Sequence, residues 1–134
     1  DLEKSHVTGA TITKVMSSKD GIVNVWGTGE ESRDLLYIED LIDFIDTAIN
    51  KQEDYYKLYN VGLGIPIKIK DLVKKVIETS GRDLKIQHDL TKPTVPTSLF
   101  LDCSKAKQEL GWSPKHSLEE GLHKTLKWYR SNLK

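Results

Sequence analysis

The sequence has little cysteine and no excess of charge of either sign. Its 134 residues include one Cys, 20 Lys and Arg, and 20 Asp and Glu, so the formal net charge at pH 7 is zero. The single Cys103 excludes an internal disulfide and a cysteine-based metal cluster, and we interpret it as a packing residue. The balanced charge argues against the broad basic surface of nucleic-acid-binding proteins. We therefore expect a reducing, cytoplasmic environment and no nucleic-acid partner.

Long apolar runs and metal-binding motifs are also missing. No stretch approaches the roughly 20 apolar residues of a membrane span, and residues 1–4 do not resemble a signal peptide, so no membrane partner is expected. The four histidines lie far apart and no helix carries an HExxH pattern, so the sequence predicts no metal site. With 37% hydrophobic and 30% charged residues, the chain has the composition of one compact domain.

The hydrophobic pattern alternates between short β-rich runs and amphipathic helices, which predicts a small mixed α/β domain. Ser117 and Glu120 have the spacing of a capping box, and Asp102 is positioned to cap a short helix. One predicted helix carries an apolar face formed by Leu41, Ile42, Phe44, Ile45, Ala48 and Ile49. Helices are predicted over 7–16, 39–49, 69–77, 102–111 and 117–129, and strands over 22–26, 58–62, 84–87 and 99–101.

The motifs of a complete catalytic site are absent from this sequence. The glycines at 27 and 29, and those at 62 and 64, lack the third glycine of the dinucleotide-binding fingerprint. No tyrosine is followed four residues later by a lysine, the spacing that would place a phenol beside an ammonium as an acid/base pair. We therefore assign no catalytic residue to this chain.

The segment 25–34 offers the most informative group of residues. Trp26, a glycine-rich turn and Arg33 could together stack a base and clamp a phosphate. The alternative is that Trp26 belongs to the core and Arg33 pairs with Asp34 or Glu39 at the surface. Residue types alone favour the alternative. On the same grounds Lys14 and Lys92 would be solvated surface residues, and His6 a surface or capping residue.

A resemblance changes the balance between these alternatives. Residues 26–29 and 33–40, Trp-Gly-Thr-Gly and Arg-Asp-Leu-Leu-Tyr-Ile-Glu-Asp, resemble the substrate-domain signature of extended short-chain dehydrogenase/reductases. That family comprises NAD(P)-dependent nucleotide-sugar epimerases, dehydratases and reductases. Its later landmarks have counterparts in the same order at 59–62, 102–106, 110–112 and 117–122.

Residues 5–7 and the loop at 92–93 are most similar to the GDP-L-fucose synthase branch, which epimerises and reduces GDP-4-keto-6-deoxymannose. The resemblance implies that residues 1–134 form a carboxy-terminal substrate-binding domain. It also implies that an amino-terminal Rossmann domain, absent from this chain, would hold NAD(P) and the catalytic residues. The chain alone is then not expected to be active, and a homodimer stays open because many relatives dimerise through that other domain.

The resemblance assigns roles to five residues. Arg33 would contact the substrate diphosphate, Trp26 would lie against the nucleotide, and Lys14 would supply a second cation. Lys92 would face the nucleotide, and His6 would lie near the cofactor. The acidic residue expected two positions after Lys92 is a threonine here, and an arginine expected near position 98 is missing. Two alternatives therefore stay open: an enzyme for UDP or dTDP sugars, and a noncatalytic interaction module of the same fold.

Overall fold

The computed structural model describes residues 6–95 and 97–132, and it confirms the predicted mixed α/β fold. Helices and strands alternate along most of this part of the chain. The elements are α1 (Val7–Ser17), β1 (Ile22–Trp26), β2 (Ser32–Arg33), α2 (Ile38–Lys51), β3 (Ile67–Lys68), α3 (Ile69–Ser80), β4 (Lys85–Asp89), α4 (Ser104–Leu110) and α5 (Leu118–Asn132).

Two short ladders connect distant parts of the sequence. Strand β1 pairs in parallel with β4, with Val25 opposite His88 and Trp26 opposite Asp89. Strand β2 pairs antiparallel with β3, with Arg33 opposite Ile67. Because Trp26 and Asp89 end their strands, the loops that follow β1 and β4 leave from the same edge.

The main core lies between α1, β1, α3 and α5. Five of its side chains are at most 1% exposed: Val15, Val23, Leu72, Val76 and Leu126. Each side chain of this size stabilises the fold by about 1.5–3 kcal/mol when it is fully buried. This core therefore fixes α1 and β1, which carry Lys14 and Trp26, against the rest of the domain.

A second cluster packs α2 against α4 and the residues that follow it. Trp112 is 3% exposed, and its ring meets the Phe44 ring edge-on at 5.2 Å between centroids. The indole Nε1 of Trp112 donates a hydrogen bond to Asp43 at 3.1 Å. Aromatic contacts of this geometry contribute about 0.5–1.5 kcal/mol beyond the buried area.

The predicted apolar face of α2 is present, but other elements of the described chain cover only part of it. Phe44 and Ala48 pack against the second cluster as expected, but Ile42 and Ile49 are 59% and 76% exposed. Phe44 and Ala48 form the covered edge of this face, whereas Ile42 and Ile49 lie on its adjoining edge, which no other element of the described chain covers.

The strands predicted at 58–62 and 99–101 are wrong. Both segments are extended in sequence pattern but form no ladder in the described chain. A strand needs a ladder of backbone bonds to a neighbour. The Leu58 carbonyl instead accepts from Lys105 Nζ at 2.9 Å. Among the described residues of the other segment, only the Leu99 N–H reaches β2, at 3.4 Å from the Ser32 carbonyl, and the Leu101 N–H donates to Asp34 at 3.0 Å.

The predicted helix ends are confirmed. Glu120 N donates to Ser117 Oγ at 3.2 Å, and Ser117 N donates to Glu120 Oε2 at 2.8 Å, which is the reciprocal pairing of a capping box. The Asp102 carboxylate accepts the N–H of Ser104, the first residue of α4, at 2.9 Å. Helix α3 ends at Gly81, which has the left-handed φ of 67° that glycine tolerates.

Candidate functional site

One cleft of about 650 Å³ lies where α1, β1, β2, the start of α3 and the loop after β4 meet. It brings together the four residues predicted to bind substrate: Lys14, Trp26, Arg33 and Lys92. These residues are separated by up to 78 positions in sequence, so only the tertiary fold places them side by side. Val7, Thr11, Val23, Val73 and Glu31 are among the other residues that line it.

Trp26 lies at the centre of the cationic part of this cleft. Its side chain is 51% exposed, so the alternative that it belongs to the core is wrong. The Lys14 and Lys92 ammonium groups lie 5.6 Å and 5.7 Å from the centre of its ring. Cation–π attraction holds both groups near the indole. A ligand that stacks on Trp26 would therefore meet two positive charges close to the ring.

Lys14 is anchored to β1, the strand that also carries Trp26. Its Nζ donates a hydrogen bond to the carbonyl oxygen of Asn24 in β1 at 3.0 Å. Partial burial lowers the pKa of the Lys14 ammonium below its usual value. The expectation that Lys14 is a solvated helix lysine is therefore wrong, and its charge is held at a fixed place between α1 and β1.

Gly27 makes room for the loop that carries Lys92. Its φ is +63°, which side-chain-bearing residues rarely adopt, and a Cβ placed there would lie 2.1 Å from Thr94 Cγ2. The Gly27 N–H donates to the carbonyl of Asp89 at 2.9 Å, and its own carbonyl lies 2.9 Å from His88 Nδ1. The loop after β4 can therefore lie directly on the turn after β1, which places Lys92 over Trp26.

Arg33 is held by the segment that follows the Lys92 loop. Its Nη1 donates to the carbonyl of Ser32 at 2.7 Å, to Thr97 Oγ1 at 2.8 Å and to the Thr97 carbonyl at 3.3 Å. The predicted pairing with Asp34 or Glu39 is wrong, because Glu39 bonds Lys124 at 2.7 Å instead. In the described chain the hydrogen bonds of the guanidinium come from Nη1, which leaves Nε and Nη2 for a ligand.

Asp34 is a structural residue that the sequence reasoning missed. Its carboxylate accepts backbone N–H groups from Leu63 at 2.7 Å, Gly64 at 3.0 Å and Leu101 at 3.0 Å. Hydrogen bonds to a charged acceptor are about twice as strong as neutral ones. The carboxylate thus ties the bent segment at residues 62–65 and the segment at Leu101 to the residue next to Arg33. Only its position directly after Arg33 pointed to it.

The charges that line the cleft suit a dianionic ligand. Three cations, Lys14, Arg33 and Lys92, face one carboxylate, Glu31, so the lining has two net positive charges. A planar guanidinium fits the oxygens of a phosphate, and an exposed indole offers a surface for a base. The site can therefore bind a nucleoside diphosphate, with the phosphates near the cations and the base against Trp26.

His6 lies outside this cleft. It is exposed and directly precedes α1, where its carbonyl accepts the Ala10 N–H at 2.9 Å. Its predicted place near a cofactor stays a prediction. In the two described ranges, no group of three or more His, Cys, Asp or Glu side chains is arranged to hold a metal ion. None of the helices in those ranges has the length and apolar character needed to cross a bilayer.

The sequence model of the GDP-mannose 4,6-dehydratase family matches residues 3–125. The chain belongs to this family. Among curated relatives, the probable GDP-L-fucose synthase 1 of Oryza sativa subsp. japonica is 39% identical over 137 residues, which cover 98% of this chain and 40% of the relative. GDP-L-fucose synthase 1 of Arabidopsis thaliana is 35% identical, again over 98% of this chain and 41% of the relative. The chain thus spans about 40% of the length of the relatives that it matches.

Solved structures of nucleotide-sugar epimerases have a similar fold. The UDP-glucose 4-epimerase of Thermotoga maritima, determined with UDP-glucose, is 29% identical with a TM-score of 0.84, and the match covers all of this chain and 42% of that one. The UDP-glucose 4-epimerase of Bifidobacterium longum, in complex with NAD+ and UDP, has a TM-score of 0.81 at 21% identity over 95% of this chain and 40% of that one. The predicted resemblance to nucleotide-sugar epimerases and dehydratases, and to GDP-L-fucose synthases within them, is confirmed.

Proposed function

We propose that this chain is the substrate-binding domain of an NAD(P)-dependent nucleotide-sugar epimerase or reductase of the GDP-L-fucose synthase type. Its cleft binds the nucleoside diphosphate of the sugar substrate. One observation carries the proposal: Lys14, Trp26, Arg33 and Lys92 line a single cleft, although they come from four separate segments. The names of the relatives, which are GDP-L-fucose synthases, support the choice of a GDP sugar.

Each residue has a separate task in this proposal. Arg33 binds the diphosphate with the donors that its bonds to Thr97 do not use. Lys14 and Lys92 neutralise the remaining phosphate charge, and Trp26 supports the base. Because these groups bind the part of the substrate remote from the reacting sugar carbons, their binding energy serves to orient the sugar.

The described residues do not fit a dinucleotide cofactor. The pyrophosphate of NAD(P) is typically bound where a glycine-rich turn leads from a strand into a helix N-terminus. Here the turn at 27–29 leads from β1 into the short strand β2. We therefore propose that a separate dinucleotide-binding unit holds NAD(P) and carries out hydride and proton transfer. His6 is then placed near the boundary with that unit.

The proposal is tested by an NMR titration of the isotopically labelled chain with GDP, UDP and dTDP. Saturable shifts at Trp26 and Arg33 are expected, with GDP the tightest of the three ligands. Lys92→Gln removes one positive charge from the cleft and should lower the affinity of the chain for all three nucleotides. Lys74→Gln removes one exposed helix charge outside the cleft lining and serves as the matched control. If none of the three nucleotides causes saturable shifts, the proposal is refuted.

A noncatalytic interaction module is the second candidate, and the surface of α2 favours it. Ile38, Ile42, Ile45 and Ile49 are 49–76% exposed and recur at the spacing of one helix face. Exposed apolar stripes of this kind mark contact surfaces. This candidate predicts no nucleotide response around Trp26, so the same titration separates it from the first.

A further inference from the structure

Two adjacent glutamates after β1 have different environments. Glu30 forms ion pairs with Lys68, at 2.8 Å, and with Lys70. Hydrogen bonds from Lys68 and then Lys70 lower the pKa of Glu30 to about 2. Glu31 lines the cleft and, within the described chain, its carboxylate takes part in no ion pair or side-chain hydrogen bond. Among the described residues, lysines thus pair with the charge of Glu30, whereas the charge of Glu31 faces the cleft without such a partner.

The backbone around Glu31 is held on both sides. Its carbonyl accepts the N–H of Ile69, the first residue of α3, at 3.0 Å. The next residue, Ser32, donates its N–H to the carbonyl of Thr97 at 2.9 Å. Backbone bonds to two other segments therefore fix the main chain at Glu31 in the cleft wall, so its side chain starts from a defined point of the site.

A carboxylate in a cationic cleft constrains the ligand that can bind. An ionised carboxylate only accepts hydrogen bonds, and it repels the phosphates that Lys14, Arg33 and Lys92 attract. It must therefore meet a part of the ligand that donates. The guanine edge presents two adjacent donors, N1–H and the 2-amino group, which match the two carboxylate oxygens. Uracil and thymine present one N–H between two carbonyl oxygens, which repel a carboxylate.

We propose that Glu31 is a specificity-determining residue that accepts hydrogen bonds from the N1–H and 2-amino groups of guanine. This inference rests on the proposed function, because it assumes that a nucleoside diphosphate occupies the cleft. It adds a reason why the site would select a guanine nucleotide, which the charges and Trp26 alone would not provide. Sites that hydrogen-bond a donor group discriminate against analogues that lack it, because the acceptor, here the half-buried Glu31, is then left unpaired.

The test compares GDP, inosine 5′-diphosphate and UDP on the wild type, Glu31→Gln and Glu30→Gln, with dissociation constants from calorimetry. Inosine keeps N1–H but lacks the 2-amino group. The wild type should bind GDP most tightly. The side-chain amide introduced by E31Q would place its own donor against the guanine donors. The affinity of this variant for GDP should therefore be roughly 10- to 100-fold lower than that of the wild type. In E31Q the difference in affinity between GDP and inosine diphosphate should be smaller than in the wild type. Its affinity for UDP should equal or exceed that of the wild type. E30Q, which removes the same charge outside the cleft, should bind all three like the wild type.

Each other result overturns the inference in a recognisable way. If E31Q weakens GDP and UDP equally, the carboxylate meets the ribose or acts through the general field, and the assignment to guanine is wrong. If E30Q behaves like E31Q, or if E31Q binds GDP like the wild type, the assignment is likewise wrong. These results leave the proposed function intact. If the wild type binds none of the three nucleotides, the proposed function fails and the inference fails with it.

Discussion

Replacement of Arg33 by alanine should separate binding from folding. The guanidinium donates three hydrogen bonds from Nη1, to the Ser32 carbonyl and to two oxygens of Thr97. These bonds are partly or fully exposed to solvent, so their loss should lower the free energy of unfolding by about 1 kcal/mol. A charge-assisted contact to a phosphate that excludes water is stronger, at about 1.5–3 kcal/mol. The affinity of Arg33→Ala for GDP should therefore fall by roughly 10- to 150-fold.

Two further variants test whether the loss of GDP affinity in Arg33→Ala is due to the guanidinium. Arg33→Lys keeps the charge but loses the planar fork, so its affinity should lie between those of the wild type and Arg33→Ala. Arg130→Ala removes another arginine that bonds a backbone carbonyl, that of Ser80 at 2.7 Å, and lies outside the cleft lining. It should lose a similar amount of stability and no affinity.

Calorimetry with GDP at two salt concentrations, together with thermal unfolding of each variant, measures both quantities. Because exposed charges are screened, the affinity of the wild type should fall as salt is added, and that of Arg33→Ala should fall less. A folded Arg33→Ala chain that binds GDP as tightly as the wild type would show that Arg33 does not contact the diphosphate.

Three other perturbations have defined outcomes. Gly27→Ala should lower the free energy of unfolding by more than about 1–2 kcal/mol. That range is the cost of the left-handed φ alone, and the added Cβ would also collide with Thr94. Calorimetric melting would measure the loss of stability. Asp34→Asn weakens an acceptor of three backbone N–H groups and should cost at least about 2 kcal/mol in urea unfolding, whereas a neutral result would contradict its structural role. Burial opposes ionisation of Asp40, but hydrogen bonds from His116 and the backbone lower its pKa. The stability that Asp40 contributes should therefore be complete above about pH 4 and decline as the pH falls through that lowered pKa, and Asp40→Asn should flatten the decline of Tm in this range.

Local sequence signals predicted the helix start and the strand that have a strong pattern of their own. The capping box at Ser117 needs only its own neighbourhood to specify a helix start. The β-branched run before Trp26 indicates a strand by its local propensity, although pairing with the distant β4 completes β1. The same reasoning failed for residues 58–62 and did not foresee that part of the apolar face of α2 is exposed, because a ladder or a packed face depends on what else is present beside it. The hydrophobic pattern of a segment does not show which other segment will pair with it or pack against it.

The candidate site could be predicted from the sequence in part. Trp26 and Arg33 lie within one segment of eight residues, so the sequence alone predicts that they are close in space. The cation–π contacts of Lys14 and Lys92 to Trp26 depend on the packing of α1 and on the β1–β4 register. Glu31 had no signal of its own, because only the fold distinguishes it from Glu30.

The parallel pairing of β1 with β4 has a consequence for how the chain folds. Trp26 and Asp89 are brought together across more than 60 residues, with two helices between them. Closing so long a loop is entropically costly and slows folding relative to local contacts. The cleft should therefore assemble only after helices α2 and α3 have formed, so a bound nucleotide would mainly slow unfolding and would accelerate refolding little. The same ladder that positions the indole would then set the lifetime of the binding-competent state.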